Sequence, residues 1–340
     1  MLSFDRLRLE ALVMRTFGAA PSHVDPMPGG ASTRQYYRLQ VGGRRVVAMF
    51  VPDARPEEIS SGAPSLRWPF LEVQALLKGA GVRVPEVLAE DCEGGLLLLE
   101  DLGDRTLAAY LEQEPEGKAA IYTRAVKDLA RAQLSLKEQL ETSVVGTRAF
   151  DDTLLRWELD HFREWGLDGR GRALEAGDRA VFDALADRLA HRIAEMPRGF
   201  VHRDYQSRNL MVLGEGEAVE LAWIDFQDAL LGPRSYDLVA LLQDSYQTFD
   251  RAFVEARLDD YAAEAGLDAG AREKLGREFD LITVQRKLKD AGRFVFIDRV
   301  KGNPAFLPFV EPTLAKVRVA LERLSDDPDL RSLGRIVERA

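Results

Sequence analysis

The chain of 340 residues has a single cysteine, Cys92, which excludes an internal disulfide and any metal site built from several cysteines. A lone cysteine is more often a buried thiol than a nucleophile. No apolar run approaches the roughly 20 residues that a membrane-spanning helix needs. Residues 1–6 lack the basic segment, followed by an apolar one, that marks a secretory signal. These absences predict a cytoplasmic protein with no membrane partner.

Positive charge is also in short supply. The chain has 46 lysines and arginines against 56 acidic residues, which gives a net charge of −10 and a pI near 5.2. Nucleic acid as a partner calls for clustered basic residues, so we expect none. An acidic surface permits a cationic substrate but does not demand one. The length and the hydrophobic content of 46% are those of a globular protein with two domains or lobes.

The first hundred residues combine two helical patterns with three strand-like runs. Apolar residues recur at helical spacing in two segments, whereas β-branched and aromatic residues cluster in the others. Gly42 and Gly43 separate two of the runs and predict a hairpin turn. The predicted helices are 4–17 and 70–78, and the predicted strands are 36–41, 45–51 and 95–99.

From Thr106 onward the pattern becomes helical, interrupted by two short apolar strands near 210–212 and 222–225. The sequence therefore predicts an α+β protein with a small β-rich N-lobe, a hinge and a larger helical C-lobe. The N-lobe is assigned to 1–103, the hinge to 100–104 and the C-lobe to 104–340, with a helical insertion at about 141–198. The principal helical segments are 118–140, 153–165, 178–195 and those between 236 and 324.

Two acidic motifs carry the chemistry. Residues 202–209 read H-x-D-x-x-x-x-N, the catalytic-loop pattern of kinases, and Ile224-Asp225-Phe226 is similar to their metal-binding D-F-G. Phosphoryl transfer needs a carboxylate beside the attacking hydroxyl, and an amide and a second carboxylate to hold magnesium. We therefore predict Asp204 as the catalytic residue and Asn209 and Asp225 as metal ligands. His202 and Arg203 are predicted to be structural.

Two further aspartates follow the second motif. Asp228 could contact the substrate or a second metal, or it could cap a turn. Asp237 stands where a helix begins, and we predict that it is a structural N-cap.

A loop of small residues before the first hairpin strand predicts a phosphate-binding turn. Its candidate contacts are Gly30, Ser32, Thr33 and Arg34. The backbone of Glu100 and Leu102, after the buried strand, is predicted to bind the adenine edge.

The second hairpin strand lacks the lysine that kinases place there for the phosphates. Its centre reads Val47-Ala48-Met49-Phe50, and the first lysine of the chain is Lys78. Met49 thus lies in the predicted ATP site without a charge. The phosphates must be neutralised by magnesium or by one of three arginines, Arg34, Arg44 and Arg45.

The chain resembles the aminoglycoside-phosphotransferase and choline-kinase family over essentially its whole length. A closer likeness to one subgroup is carried by residues 96–103, 202–209, 225–229, 232–233, 236–237 and 284–289. Within the family it is most similar to the anomeric kinases for N-acetylmuramate and N-acetylglucosamine used in bacterial peptidoglycan recycling. The strand without lysine is also typical of that subgroup. The resemblance implies a bilobal protein-kinase-like fold, ATP and Mg²⁺ as cofactors, and a monomer that acts on a small amino sugar.

The implied reaction is transfer of the γ-phosphate to the anomeric hydroxyl of the sugar. A hemiacetal hydroxyl is more acidic than an ordinary alcohol and asks less of Asp204 as a base. The lactyl carboxylate of N-acetylmuramate would need a cation, and Arg286, Lys289 or Arg293 could supply it. The alternative is a solvated basic helix face. The residues Trp157 and Trp165 could stack on a sugar ring, although core packing is the stronger expectation.

Two other functions stay open on the sequence. An aminoglycoside or amino-alcohol kinase would use acids such as Glu158 and Asp160 around a cationic substrate. A catalytically silent nucleotide-binding protein is suggested only by the missing lysine. The intact Asp204, Asn209 and Asp225 argue against it.

Overall fold

The computed structural model describes residues 3–28, 33–52 and 68–339, which form two compact units. One unit consists of the described residues within 1–113 together with 208–228, and it contains a five-stranded sheet. The other consists of 114–207 and 229–339 and is mainly helical. The predicted α+β fold is thus present. The contacts place 104–113 and 208–228 with the sheet, whereas the sequence divided the chain at 103/104. The predicted assignment of 1–103 to an N-lobe and 104–340 to a C-lobe stays a prediction.

The two helices and three strands predicted for the amino-terminal part of the chain are all present, and 23–26 forms a further strand that was not predicted. The first helix begins because the Asp5 carboxylate accepts hydrogen bonds from the N–H groups of Leu7 and Arg8, and it ends at Gly18, whose φ of 70° suits glycine. The elements are α1 (Arg6–Phe17), β1 (His23–Pro26), β2 (Gln35–Val41), β3 (Arg44–Phe50), α2 (Pro69–Gly79), β4 (Val87–Asp91), β5 (Leu96–Glu100) and α3 (Leu107–Gln113).

The sheet is antiparallel throughout, in the order β1-β2-β3-β5-β4. Gly42 and Gly43 join β2 to β3 with φ values of 53° and 82°, the left-handed backbone that a tight hairpin turn requires. The helix α1 buries its apolar face against this sheet. The core formed in this way consists of Leu9, Leu12, Val13, Leu39, Val41, Val46, Ala48, Phe50, Leu96 and Leu98.

The rest of the described chain consists mainly of helices, with four short strands between them. The predicted helix at 118–140 ends at Leu136, and the one at 153–165 divides into an α-helix and a π-helical turn, Phe162–Leu167. The elements are α4 (Lys118–Leu136), α5 (Asp152–His161), α6 (Ala176–Ala194), β6 (Arg198–Val201), β7 (Leu210–Leu213), β8 (Glu220–Trp223), β9 (Leu230–Pro233), α7 (Tyr236–Leu242), α8 (Arg251–Glu264), α9 (Ala269–Lys301), α10 (Val310–Arg323) and α11 (Pro328–Val337).

Two antiparallel strand pairs hold the segments that carry the motifs. The strand β6, from which the 202–207 loop leaves, pairs with β9 in the helical unit. The strands β7 and β8 pair with each other in the sheet-containing unit, directly before Asp225. The helix α9 spans 33 residues and packs with α5, α7, α8 and α10. It is therefore buried on several sides, which decides the environment of Arg286.

Candidate active site

The backbone of the 202–207 loop is held by Asp237. The carboxylate of Asp237 accepts hydrogen bonds from the N–H of His202 at 2.6 Å and from the N–H of Arg203 at 3.0 Å. The predicted role of Asp237 as an N-cap is wrong: Ser235 precedes the helix α7, and Asp237 lies within its first turn. Its side chain points to the loop because the two buried N–H groups need an acceptor.

Arg203 has a φ of 80°, a left-handed conformation that residues other than glycine rarely adopt. The Asp237 hydrogen bonds and a hydrogen bond to its own carbonyl oxygen from Arg286 hold it there. Burial raises the pKa of the Asp237 carboxyl to about 7, while the loop N–H groups and Arg286 oppose the rise. The backbone of Arg203 is thus fixed on both sides, in keeping with its predicted structural role. This conformation sets the position of the next residue, Asp204.

Arg286 contacts both the loop and Asp204. Its guanidinium donates to the carbonyl oxygen of Arg203 at 2.7 Å and to Asp204 Oδ1 at 3.4 Å, and it lies over the Tyr236 ring at 4.6 Å. Only 2% of Arg286 is exposed, so the alternative of a solvated basic face is wrong. The side chain of Asp204 is 41% exposed and can reach a ligand.

The charges around Asp204 keep it ionised. Burial acts to raise the pKa of Asp204, but the positive charges of Arg286, Lys289 and Arg203 outweigh it and lower the pKa. Lys289 lies one turn after Arg286 on α9, with its Nζ 3.1 Å from Asp290 Oδ1. The carboxylate of Asp204 can therefore orient a hydroxyl by accepting its hydrogen bond, but it is a weak base.

A second buried carboxylate, Asp244, holds the far end of the same loop, and the sequence reading missed it. Asp244 accepts hydrogen bonds from the hydroxyl of Ser207 and, at 3.0 Å, from its N–H. Asp237 lies in the first turn of α7, whereas Asp244 lies two residues after its end at Leu242, so helical spacing does not predict that both contact the loop. One helix and the residues after it thus supply both carboxylates that fix the loop.

We expect Asp244→Asn to destabilise the fold by about 1–3 kcal/mol, because it weakens the buried acceptor of Ser207. It also removes a negative charge near the ammonium groups of the buried Lys287 and the half-buried Lys316. Turnover should fall, since the loop before Asn209 loses an anchor. Ser207→Ala, which removes the hydroxyl but keeps the N–H, should have a smaller effect. Thermal unfolding and turnover of both variants check this; wild-type behaviour of Asp244→Asn would show that the contact is dispensable.

Glu158 is a structural acid. It is fully buried, lies 3.7 Å from the guanidinium of Arg203, and accepts a hydrogen bond from Gln285 at 2.8 Å. Such a carboxylate is not available to a polycationic substrate, so one of the two acids that favoured an aminoglycoside acceptor is accounted for. Asp160 pairs with Arg156 at 2.5 Å. Both acids thus have partners within the helical unit.

The two tryptophans of this region differ. Trp157 is 46% exposed and stacks on His161 with ring centroids 5.5 Å apart, so the expectation that it packs in the core is wrong. Trp165 packs edge-on against Phe296 at 5.2 Å. Helical spacing alone could not separate these two outcomes, because α5 changes to a π-helical turn between them.

The predicted metal ligands lie together in the sheet-containing unit. The carbonyl oxygen of Asn209 accepts a hydrogen bond from the N–H of Ile224 at 3.0 Å, which ties the first ligand to the segment before Asp225. Asp225 follows the strand β8 by two residues, not at its end as predicted, with a φ of 64°. Gln227 Nε2 donates to Asp225 at 2.9 Å and to Asp228 at 3.0 Å.

These residues offer the hard oxygen atoms that magnesium prefers, two carboxylates and one amide. Among the described residues no cluster of three or more His, Cys, Asp or Glu side chains could hold a metal on its own. An octahedral ion held by these three side chains would keep positions for phosphate oxygens or water.

The residues predicted for ATP are placed in part. Gly30 and Ser32 lie outside the described residues, and Thr33 directly precedes Arg34 and β2. Arg34 is within 3.3 Å of Asp225 Oδ1 and 3.5 Å of Asp228 Oδ2. Met49 is 1% exposed in β3, opposite Tyr36 and Leu97, so the strand offers no charge at this position.

The end of β5, at Glu100, is held by hydrogen bonds to the segment 83–86 that precedes β4. The carboxylate of Glu100 accepts hydrogen bonds from Arg83 at 2.8 Å and from the N–H of Glu86 at 3.1 Å, and the N–H of Glu100 donates to the carbonyl oxygen of Glu86 at 2.9 Å. The predicted adenine contacts of Glu100 and Leu102 remain predictions.

The fold and the motif residues define the class, a protein-kinase-like phosphotransferase. Solved structures of this class superpose on the chain. The GDP complex of aminoglycoside 2'-phosphotransferase-IIIa has a TM-score of 0.60 at 15% identity, covering 93% of this chain and 98% of that one. Plasmodium vivax ethanolamine kinase has a TM-score of 0.58 at 14% identity, covering 87% and 81%. These likenesses confirm the bilobal fold predicted from the sequence.

The chain belongs to the phosphotransferase enzyme family, whose model matches residues 23–273. It is 36% identical over 324 residues to the N-acetylmuramate/N-acetylglucosamine kinase of Pseudomonas aeruginosa, covering 93% of this chain and 88% of the relative. The protein of the same name from Neisseria meningitidis is 33% identical, covering 89% and 87%. The predictions of the family and of a kinase are thereby confirmed. Among the described residues, no helix is long and apolar enough to cross a membrane.

Proposed function

We propose that this protein transfers the γ-phosphate of Mg-ATP to the anomeric hydroxyl of N-acetylmuramate or N-acetylglucosamine. The observation that carries the proposal is the contact of Arg286 with both Asp204 and the carbonyl oxygen of Arg203. It keeps Asp204 ionised and fixed, as a residue that orients an acceptor hydroxyl must be. The curated relatives bear the name of kinases for these two sugars. The proposed setting is recycling of cell-wall amino sugars in the cytoplasm.

The weak basicity of Asp204 fits a hemiacetal acceptor. In a loose phosphoryl-transfer transition state the nucleophile bonds late, so orientation of the hydroxyl contributes more than removal of its proton. Asp204 accepts the hydroxyl hydrogen bond and takes the proton as the new P–O bond forms and the bond to ADP breaks. An acidic anomeric hydroxyl makes that transfer easier than an ordinary alcohol does.

Magnesium would be held by Asn209 and Asp225, with Asp228 beside them. When bound with the nucleotide, the ion supplies charge neutralisation on the phosphates. The chain's own contribution is to keep the oxygen ligands in place through the Asn209–Ile224 hydrogen bond and the two Gln227 hydrogen bonds. For Asp228 we therefore favour a place beside the metal ligands over direct contact with the acceptor.

For the lactyl carboxylate of N-acetylmuramate we propose Lys289. Arg286 already contacts the loop and Asp204, whereas Lys289 lies one turn further along the same helix with a partly exposed side chain. Burial acts to lower the pKa of Lys289, but Asp290, Tyr236 and Glu158 outweigh it and keep the ammonium charged. A charged ammonium next to Asp204 would attract an anionic acceptor.

An acceptor screen tests the proposal. ADP release would be measured with Mg-ATP and, in turn, N-acetylmuramate, N-acetylglucosamine, glucose, choline and kanamycin. We expect turnover with the two N-acetylated sugars and little with the other three compounds. Turnover with kanamycin alone would overturn the sugar assignment and favour an antibiotic kinase. Binding of Mg-ATP without turnover of any acceptor would favour a silent nucleotide-binding protein.

A further inference from the structure

The position that kinases give to a phosphate-binding lysine holds an apolar side chain in this protein. Met49 is buried at the centre of β3, and its cross-strand partner on β2 is Tyr36. A triphosphate still needs a cation from the protein side, because magnesium alone leaves negative charge on its oxygens. The segment directly before β2 supplies a candidate cation, Arg34, two residues before Tyr36.

Arg34 is directed at the proposed metal ligands. Its Nη1 lies 3.3 Å from Asp225 Oδ1 and its Nη2 lies 3.5 Å from Asp228 Oδ2, so the guanidinium spans the two carboxylates. Its side chain is 16% exposed, which limits the competition from water. Tyr36 is a further neighbour; burial raises its pKa to about 12, so the phenol keeps its proton.

The contact is loose enough to be exchanged. Both distances exceed the roughly 2.7–2.9 Å of a tight charged hydrogen bond. The side chains of Asp225 and Asp228 are 42% and 25% exposed. If Arg34 left, both carboxylates would keep a neutral donor, since Gln227 Nε2 reaches each of them. A guanidinium also has a planar fork of donors that matches phosphate oxygens.

We propose that Arg34 replaces the missing strand lysine and alternates between two partners. Without nucleotide it neutralises Asp225 and Asp228 and opposes binding of a free divalent cation to them. When Mg-ATP binds, the carboxylates pass to the metal and Arg34 passes to the triphosphate. This inference rests on the proposed use of Mg-ATP. It predicts that loss of the Arg34 charge weakens the binding of Mg-ATP and strengthens the binding of a free divalent cation.

The test is Arg34→Gln, with Arg6→Gln as the matched control. Arg6 is an exposed arginine of α1 in the same unit, where it pairs with Glu10 at 2.9 Å, and its replacement should leave the affinities for Mg-ATP and for Mn²⁺ unchanged. Calorimetry would measure the binding of Mg-ATP and of adenosine, and electron paramagnetic resonance would measure Mn²⁺ without nucleotide. For Arg34→Gln we expect Mg-ATP affinity to fall by about tenfold or more and adenosine affinity to stay unchanged. Mn²⁺ alone should bind several-fold more tightly.

Unchanged adenosine binding also shows that the variant is folded. Arg34→Lys keeps the charge but loses the fork, so its Mg-ATP affinity should lie between those of the wild type and Arg34→Gln. Wild-type Mg-ATP affinity in Arg34→Gln would overturn the phosphate role, and unchanged Mn²⁺ binding would overturn the neutralising role. A wild type that binds Mg-ATP but phosphorylates no sugar would refute the proposed acceptor while leaving these binding results decisive. A wild type that binds no Mg-ATP would refute both.

Discussion

Asp204→Asn should lower turnover by about 10²- to 10⁴-fold, the range that a positioned acid or base contributes. The amide cannot take the proton of the acceptor, and it carries no charge to pair with Arg286. Binding of Mg-ATP should be preserved, because the proposed metal ligands are Asn209 and Asp225. Steady-state turnover together with calorimetric titration of Mg-ATP measures the two quantities separately.

A suitable control for this variant is Asp326→Asn, since Asp326 is an exposed acid paired with Arg277 in the helical unit. It should leave both quantities unchanged. The contrary result would be that Asp204→Asn loses Mg-ATP binding and that turnover falls only as far as the lost binding explains. That result would mean that Asp204 holds the metal and does not orient the acceptor.

Arg286→Gln should lower turnover by about tenfold to a hundredfold with N-acetylmuramate and N-acetylglucosamine alike. Its guanidinium holds the carbonyl oxygen of Arg203 and the carboxylate of Asp204, and a misplaced catalytic group can cost about a hundredfold. The sequence had also made Arg286 a candidate ligand of the lactyl carboxylate, and that role would make the loss of turnover selective for N-acetylmuramate. The contacts of Arg286 now favour an equal loss of turnover with both sugars. A loss selective for N-acetylmuramate is expected instead for Lys289→Gln.

The pH profile gives Arg286 a second test. Arg286 is the foremost of the charges that lower the pKa of Asp204, and the reaction needs Asp204 ionised. Without that charge the pKa of Asp204 rises, so the acidic limb of kcat/KM should move to higher pH. Arg299→Gln, an exposed arginine near the end of the same helix, should leave the limb in place. A selective loss of N-acetylmuramate with an unchanged acidic limb would return Arg286 to the role of carboxylate ligand.

Local patterns predicted much of the fold. The hairpin followed from two glycines between β-branched runs, since both turn positions have positive φ. Gly18 ended α1 for the same conformational reason. The environment of the basic residues on α9 could not be predicted from local patterns. Periodicity placed Arg286, Lys289 and Arg293 on one side of a helix, but whether that side was solvated depended on which helices pack against it.

The site residues show the same division between local and long-range information. The motifs predicted Asp204, Asn209 and Asp225 because their spacing is a property of one loop and one turn. The hydrogen bonds that Asp237 accepts from the N–H groups of residues 202 and 203, and that Asp244 accepts from Ser207, join positions more than 30 residues apart. No local pattern encodes such pairs. Asp237 was therefore assigned to its own helix, and Asp244 was overlooked.

The position of the phosphate in the product tests the central claim most directly. After incubation of the protein with Mg-ATP and N-acetylglucosamine, NMR would show whether the anomeric proton is coupled to phosphorus. We predict this coupling, and we predict no reaction with the corresponding alditol, which lacks the hemiacetal but keeps the other hydroxyls. Phosphate on any other hydroxyl, or equal turnover of the alditol, would contradict the account.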